Sequence, residues 1–235
     1  MSPPSSPSRR RAGSASKRTF DVAAAGAALV VLSPVMAAVA VLVRVSSPGP
    51  VLYRARRAGR SGRLYRMHKF RTMHHARADI GPAITGSSDS RVFATGRFLR
   101  RSKLDELPQL WDVLVGEMSM VGPRPEDPEM VEHHYTPAML RTLDVRPGLT
   151  SPGSIFGATR GDALLGGDDP EAAYVQRLLP VKLALERVYL ERQAFSYDLS
   201  IIARTVLTVV ELAFGRRDFP PLPEMDRALE LLAEG

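Results

Sequence analysis

The chain has 235 residues, room for one catalytic-sized domain and a membrane element but not comfortably for two full domains. It contains no Cys, which excludes disulfides, thiolate metal sites and thiol nucleophiles. Its net charge of +7 is unevenly divided: residues 1–78 carry 15 Lys and Arg against Asp21 alone and the remainder carries 17 against 24 acids, so the basic third suits inner-leaflet anionic lipids, while nucleic acid is not expected without a recognition motif or interleaved stacking aromatics.

Residues 1–16 are Ser, Pro, Arg, Gly and Ala with almost no bulky apolar side chains, a composition that predicts a disordered basic tail. Residues 17–45 form the membrane element. From Val22 to Val43 there is no charged residue, and basic residues flank both ends: Lys17 and Arg18 before, Arg44, Arg54 and Arg56 after. Straight, this stretch would just cross a hydrocarbon core of roughly 30 Å. Positive charge on both sides, however, favours both flanks staying cytoplasmic. A break at Ser33-Pro34 would give two arms of about eleven residues, each reaching roughly halfway into the bilayer. Pro34 removes a backbone donor, and the Ser33 hydroxyl can serve the carbonyl this frees. A kinked spanning helix and a buried helix of a soluble protein remain open beside the re-entrant hairpin. A secretory signal peptide does not fit, because the apolar run reaches Arg44 without a convincing cleavage site.

Ser46-Ser47-Pro48-Gly49-Pro50 ends any helix and opens a catalytic region over 46–215. Val51 to Met73 predicts a small hairpin around Gly59-Arg60-Ser61-Gly62, and Tyr65 to Arg71 mixes cations with aromatics as either a substrate contact or a solvated edge. Leu104, Leu107, Leu110, Trp111 and Leu114 recur as one helix face within Arg97–Val115. Further helices are predicted over Pro128–Leu143, 168–196 and Asp198–Phe214, the last with an apolar face that is either core or interfacial. Residues 216–235 are expected to be a C-terminal tail. The fold class is therefore α+β and mostly helical.

Asp105 and Glu106 follow a cationic run of Arg97, Arg100, Arg101 and Lys103. Two carboxylates beside four cations invite a phosphate or a metal ion. Consecutive helical residues point about 100° apart, so the pair would take separate roles rather than share a proton. An aspartate can attack phosphorus, with cations and Mg²⁺ neutralising the phosphate oxygens that otherwise repel it. Equally, Ser102-Lys103-Leu104-Asp105 fits a capping box, and acids in a first turn favour the helix dipole with no chemistry at all. Pro108 sits badly inside a helix begun at Ser102 and well at the first turn of one begun near Leu107, which would leave the acids at a partly exposed junction. Gly122-Pro123-Arg124-Pro125 holds an arginine between two prolines, either a fork for a phosphate or nucleobase or an ordinary turn. His68, His74, His75, His133 and His134 lack metal-ligand spacing and are expected on the surface or in satisfied positions.

Together, Lys17-Arg18-Thr19-Phe20-Asp21, Ser33-Pro34, Lys69-Phe70-Arg71-Thr72-Met73, Leu104-Asp105-Glu106-Leu107-Pro108-Gln109, Met120-Val121-Gly122-Pro123-Arg124-Pro125-Glu126 and Arg146-Pro147-Gly148 resemble the bacterial sugar transferases, monotopic polyprenyl-phosphate phosphoglycosyl transferases. The resemblance runs from about residue 17 to residue 212 and is to the minimal form, without four preceding spanning helices. It implies a re-entrant membrane helix broken at Ser33-Pro34, a compact catalytic domain on the cytoplasmic face of the membrane, and interfacial amphipathic helices. It implies that Asp105 attacks a UDP-sugar, expels UMP and passes the phosphosugar to polyprenyl phosphate, at the start of polysaccharide or glycoconjugate assembly. Glu106 is implied as its partner, a Mg²⁺ ligand together with Asp105 or a base. Lys69, Arg100, Pro123, Arg124, Pro125 and Asp198 are implied as substrate-binding. Ser151 to Arg160 departs from the aromatic and amide-rich stretch of many members, so the sugar is left open. An inactive membrane scaffold of the same fold is the alternative.

Overall fold

The computed structural model describes residues 7–74, 89–166 and 169–234, with side chains from residue 15 onward. Helix α1 (Pro7–Ser46) is helical on both sides of Pro34 and through it, so the break expected at Ser33-Pro34 is a lost backbone hydrogen bond and not an interruption of the helix. Pro34 has no N–H for the carbonyl of Val30, and Ser33 Oγ donates to that oxygen at 2.8 Å instead. Residues 7–16, expected in a disordered tail, instead continue α1. Pro7 stands at its first position, and the Arg and Ala that follow favour the helix. Residues 1–6 lie outside the described residues. Ala15–Ser46 is long and apolar enough to cross a membrane, and Val30, Val31, Val35 and Val41 are exposed along it.

Both halves of α1 pack on one unit. Ala25 joins Ala55, Tyr65, Met67, Leu110 and Val113 in one buried cluster, and Val39 and Val43 join Phe70, Phe93 and Leu99 in another. At its start, Arg18 donates to the Val113 and Leu114 carbonyls at 2.6 and 2.8 Å, and buried Asp21 accepts from Ser119 Oγ and the Met120 N–H. At its end, Thr95 Oγ1 donates to Ser46 Oγ at 2.8 Å and Arg71 donates to the Ser47 carbonyl at 2.6 Å.

Strands β1 (Leu52–Ala58) and β2 (Leu64–Phe70) form the expected antiparallel hairpin, Leu52 opposite Phe70 and Ala58 opposite Leu64. Its turn places Ser61 and Gly62 at φ 56° and 74°. Tyr65, Met67, Phe70 and Arg71 are buried, so this stretch is not a solvated edge. Arg71 binds Ser47, Pro48 and Pro50 as an internal clamp.

The single helix expected over Arg97–Val115 is divided. Helix α2 (Ala94–Arg101) ends, a 3-10 turn occupies Leu104–Glu106, and α3 (Gln109–Val115) follows. Lys103 takes φ 58°, a left-handed conformation that costs a non-glycine residue roughly 1–2 kcal/mol. Pro108, lacking an N–H, stands at the start of α3, where none is needed. Ser102 Oγ donates back to Phe98 and Leu99 rather than capping, which removes the capping-box reading of Asp105.

Strands β3 (Ser119–Val121) and β4 (Gly148–Thr150) pair in parallel. Between them, the helix expected over Pro128–Leu143 is split into α4 (Pro128–His134), α5 (Pro137–Leu140) and a 3-10 turn at Arg141–Asp144. Pro137 forces Thr136 into an extended conformation, which ends α4. Helix α6 (Pro152–Leu164), α7 (Pro170–Ala173) with a π turn at Tyr174–Leu178, α8 (Leu179–Glu191), α9 (Phe195–Ala213) and α10 (Met225–Ala233) complete the fold. Helix α8 lies at the centre of the largest cluster, with Leu183, Leu185 and Val188 against Phe156 and against Ala228 and Leu231 of α10. Residues 216–235 therefore hold a core helix rather than a tail. Helix α9 buries Asp198, Ile201 and Thr208 and exposes Leu199, Val206, Leu207, Val210 and Phe214.

Candidate active site

The Leu104–Glu106 turn sits where β2 and the loop after β3 converge. Lys69, near the end of β2, extends Nζ to within 3.3 Å of Glu106 Oε1. Arg124 grips Glu106 with both terminal nitrogens, one bond measuring 3.0 Å to Oε2 and the other reaching Oε1. That fork is aimed by close backbone packing. Parallel pairing of β3 with β4 brings the Gly-Pro-Arg-Pro and Arg-Pro-Gly motifs together, so a Cβ on Gly148 would lie 2.1 Å from the Gly122 nitrogen. Pro123 supplies its carbonyl to the Gly148 N–H at 2.9 Å.

The two adjacent carboxylates differ in their surroundings. Burial alone would raise Glu106, but Arg124 and Lys69 outweigh it and hold Glu106 well below the usual carboxylate range. Asp105 is raised, first by burial and then by the charge of Glu106, with Lys69, Lys103 and Arg100 acting in the opposite sense. It is 7 % exposed, and its Oδ1 is enclosed without a hydrogen-bond partner. Lys69 is lowered by burial, with Glu106 opposing. Arg100, lowered by burial, donates from Nε to Thr72 Oγ1 at 2.8 Å and feels the charge of Asp105. The close approach of Gly96 to the Thr72 carbonyl, where a Cβ would stand at 2.2 Å, seats α2 against this strand end.

Asp105, Glu106, Lys69, Arg100 and Arg124 thus share one electrostatic neighbourhood, and Pro123 and Pro125, on either side of Arg124, are buried. Asp198 is employed elsewhere: it accepts from Lys17 at 2.5 Å and from the Tyr189 hydroxyl at 2.9 Å, tying α1 to α8 and α9. Ser33 and Pro34 belong to the exposed stretch of α1. His68 is satisfied by Asp112, which accepts from its backbone N–H at 2.8 Å and from Nδ1 at 2.6 Å. His75 lies outside the described residues.

Mg²⁺ favours one or two carboxylates completed by substrate phosphates and water rather than an all-protein cage. Asp105, with an oxygen that has no partner in a cationic setting, fits that donor set; Glu106 has both oxygens committed to Arg124 and Lys69.

Behind Arg124 lies a buried polar layer that the sequence reading did not single out. Glu186 accepts from the Arg124 N–H at 3.1 Å and from Ser151 Oγ at 2.7 Å, and burial pushes it up to about 7. Lys182 pairs with Glu126, which also accepts from the Tyr174 hydroxyl at 2.6 Å. Its signal was two charges four residues apart, Lys182 and Glu186, inside an otherwise apolar helix face.

A bacterial sugar transferase family profile matches residues 12–212. The chain is 38% identical over 191 residues to a UDP-glucose:undecaprenyl-phosphate glucose-1-phosphate transferase of Xanthomonas campestris pv. campestris, covering 78% of this chain and 36% of that protein. It is 35% identical over 207 residues to a protein of that name from Caulobacter vibrioides, covering 86% of this chain and 73% of the relative. It is 32% identical over 203 residues to UDP-N-acetylgalactosamine-undecaprenyl-phosphate N-acetylgalactosaminephosphotransferase of Aeromonas hydrophila, covering 86% of this chain and 45% of that protein. The chain therefore spans less than half the length of the Xanthomonas and Aeromonas relatives. A match over so much of the sequence, carried through the Asp105 turn and both proline-rich loops, means that the chain belongs to the bacterial sugar transferase family.

Proposed function

We propose that this protein transfers a phosphosugar from a UDP-sugar to polyprenyl phosphate at the membrane and so initiates polysaccharide or glycoconjugate assembly. The relatives' names support the reaction class. The observation that carries it is a buried carboxylate, Asp105, with an unpartnered oxygen in a cationic neighbourhood. In the first step an Asp105 oxygen bonds to the sugar-bearing phosphorus while the bridging P–O bond breaks, and its electrons leave with UMP. In the second, an oxygen of polyprenyl phosphate bonds to that phosphorus, the acyl–phosphate bond breaks, and the Asp105 carboxylate returns. Lys69, Arg100 and Lys103 offset the negative charge that would otherwise keep a carboxylate from a diphosphate. Mg²⁺, held by Asp105 together with the diphosphate, would withdraw charge from the phosphate oxygens. Glu106, depressed by Arg124 and Lys69, is a weak base, which favours its role as the anchor that orders those cations.

The membrane reading is re-entrant, with the catalytic unit on the cytoplasmic face and α9 near the headgroups. Its support is that both ends of α1 are bonded to the same unit, which fits a segment entering and leaving one face. Cysteines placed by Ser14→Cys and Ser61→Cys are expected to react with an impermeant thiol reagent only from the cytoplasmic side. Labelling of the first from outside would reject the hairpin. The activity test is UMP release with undecaprenyl phosphate and Mg²⁺ from UDP-glucose, UDP-galactose, UDP-N-acetylglucosamine and UDP-N-acetylgalactosamine. Release is expected from at least one donor and abolished by Asp105→Asn; no release from any would favour the inactive scaffold.

A further inference from the structure

Gln109 opens α3 directly behind the Asp105 turn, fully buried, and neither its Oε1 nor its Nε2 has a hydrogen-bond partner. Burying an amide unpaired costs free energy, and such a group in a native core calls for a purpose. One turn away is another unpartnered polar atom, Asp105 Oδ1. The backbone between them stays right-handed through Leu107 (φ −54°, ψ −35°) and Pro108 (φ −61°, ψ −17°). Its hydrogen bonds are of the i→i+3 kind, Leu107 N–H to the Leu104 carbonyl and Leu110 N–H to the Leu107 carbonyl, so residue 109 stands a little over one turn beyond residue 105. Helical side chains lean toward the N-terminus, the direction in which the Asp105 turn lies from Gln109. The neighbouring carboxylates are already served: Asp112 accepts from His68 on both oxygens, and Glu106 from Arg124 and Lys69.

We propose that Gln109 is a positioning residue for Asp105: rotation of its side chain brings Nε2 to Oδ1, leaving Oδ2 free to meet phosphorus. This rests on the reading of Asp105 as the nucleophile. A neutral amide suits the task because it orients the carboxylate without cancelling its charge, as a lysine would.

The test uses the full chain in nanodiscs with UDP-glucose, undecaprenyl phosphate and Mg²⁺. Gln109→Leu is expected to lower kcat for UMP release about a hundredfold, with KM for UDP-glucose within about twofold and no loss of melting temperature. Gln109→Glu is expected to move the acidic limb of the kcat profile to higher pH, because a second carboxylate opposes ionisation of Asp105. Melting temperatures of Asp105→Asn, Gln109→Leu and the double variant give an arm independent of turnover, with an expected departure from additivity of about 2–4 °C. Additive melting temperatures would overturn the proposal. So would a Gln109→Leu kcat within about twofold of the unaltered protein, or a parallel fall of kcat and melting temperature with rising KM, the mark of a packing role. Absence of UMP release from the unaltered protein would count against the transferase reading with UDP-glucose, and the melting-temperature cycle would still decide the role of Gln109.

Discussion

Neutralising two adjacent carboxylates is expected to move stability in opposite directions. Asp105 carries a buried charge, so Asp105→Asn removes it at little cost in shape. The amide keeps a polar oxygen in the same place, so what is relieved is the enclosed charge alone, worth on the order of 1 kcal/mol. Glu106 is the counter-ion of Arg124 and Lys69, and Glu106→Gln strands two mostly buried cations. Breaking one partner out of such a pair costs about 3–5 kcal/mol. At about 2–4 °C per kcal/mol for a chain of this size, Asp105→Asn should melt about 2–4 °C higher at pH 7.5 and Glu106→Gln roughly 10 °C lower. Both should be inactive in UMP release. The pH dependence follows from the opposite shifts. Asp105, raised in the fold, binds more protons there than in the unfolded chain, so its contribution falls as pH rises from 3.8 through the folded value. Glu106, lowered in the fold, contributes stability above 4.5 that is lost as pH falls through its folded value. Circular-dichroism melts in one detergent from pH 4 to 8 would check both. A lower melting temperature for Asp105→Asn would refute the claim that this carboxylate is strained by its surroundings.

Glu186, raised from 4.5 to about 7, makes folding less favourable as pH rises across that interval. Glu186→Gln, which keeps an acceptor for the Arg124 N–H and Ser151, should flatten the stability profile there and add on the order of 3 kcal/mol at pH 8, read from chemical denaturation. Arg18→Ala removes two charge-assisted bonds to the last turn of α3 and should cost about 2 kcal/mol, measured as a lower melting temperature. Gly148→Ala would drive a methyl group into the Gly122 backbone and should cost about 3 kcal/mol or more; wild-type melting behaviour would contradict the close pairing of the two loops.

Much of this architecture was legible in residue order. The hairpin over Val51 to Met73 followed from short extended runs around a Gly-rich turn, and the service of Ser33 to the carbonyl freed by Pro34 followed from proline chemistry. Helix limits were harder to read. The one face expected over Arg97 to Val115 does not hold: the break at Lys103 and the 3-10 turn send Leu104 and Leu107 into one cluster and Leu110 and Leu114 into another, and Trp111 is exposed. The segment after residue 216 looked like a tail because its prolines precede a short helix whose burial depends on α8, a contact invisible to local pattern. At the site, Asp105, Glu106 and Arg124 stood out by charge and rigidity. Asp198 did not reveal its partner, since Lys17 lies 181 residues away along the chain. Glu186 was hidden, and Gln109 was visible only as the end of the Leu104–Gln109 motif, because a polar residue inside an apolar face declares its burial only once its neighbours are in place.

Helix α1 contributes Ala25, Val39 and Val43 to the clusters that also hold Met67 and Phe70, the strand on which Lys69 is mounted. It is therefore a structural wall of the folded unit, whatever it does at a membrane. Removing it to obtain a water-soluble fragment would strip the floor from beneath the hairpin, and the remaining polypeptide should collapse or aggregate. On the proposed membrane reading, folding would couple insertion with assembly, and changes in bilayer thickness would reach Lys69 through the side chains that pack helix α1 against its strand.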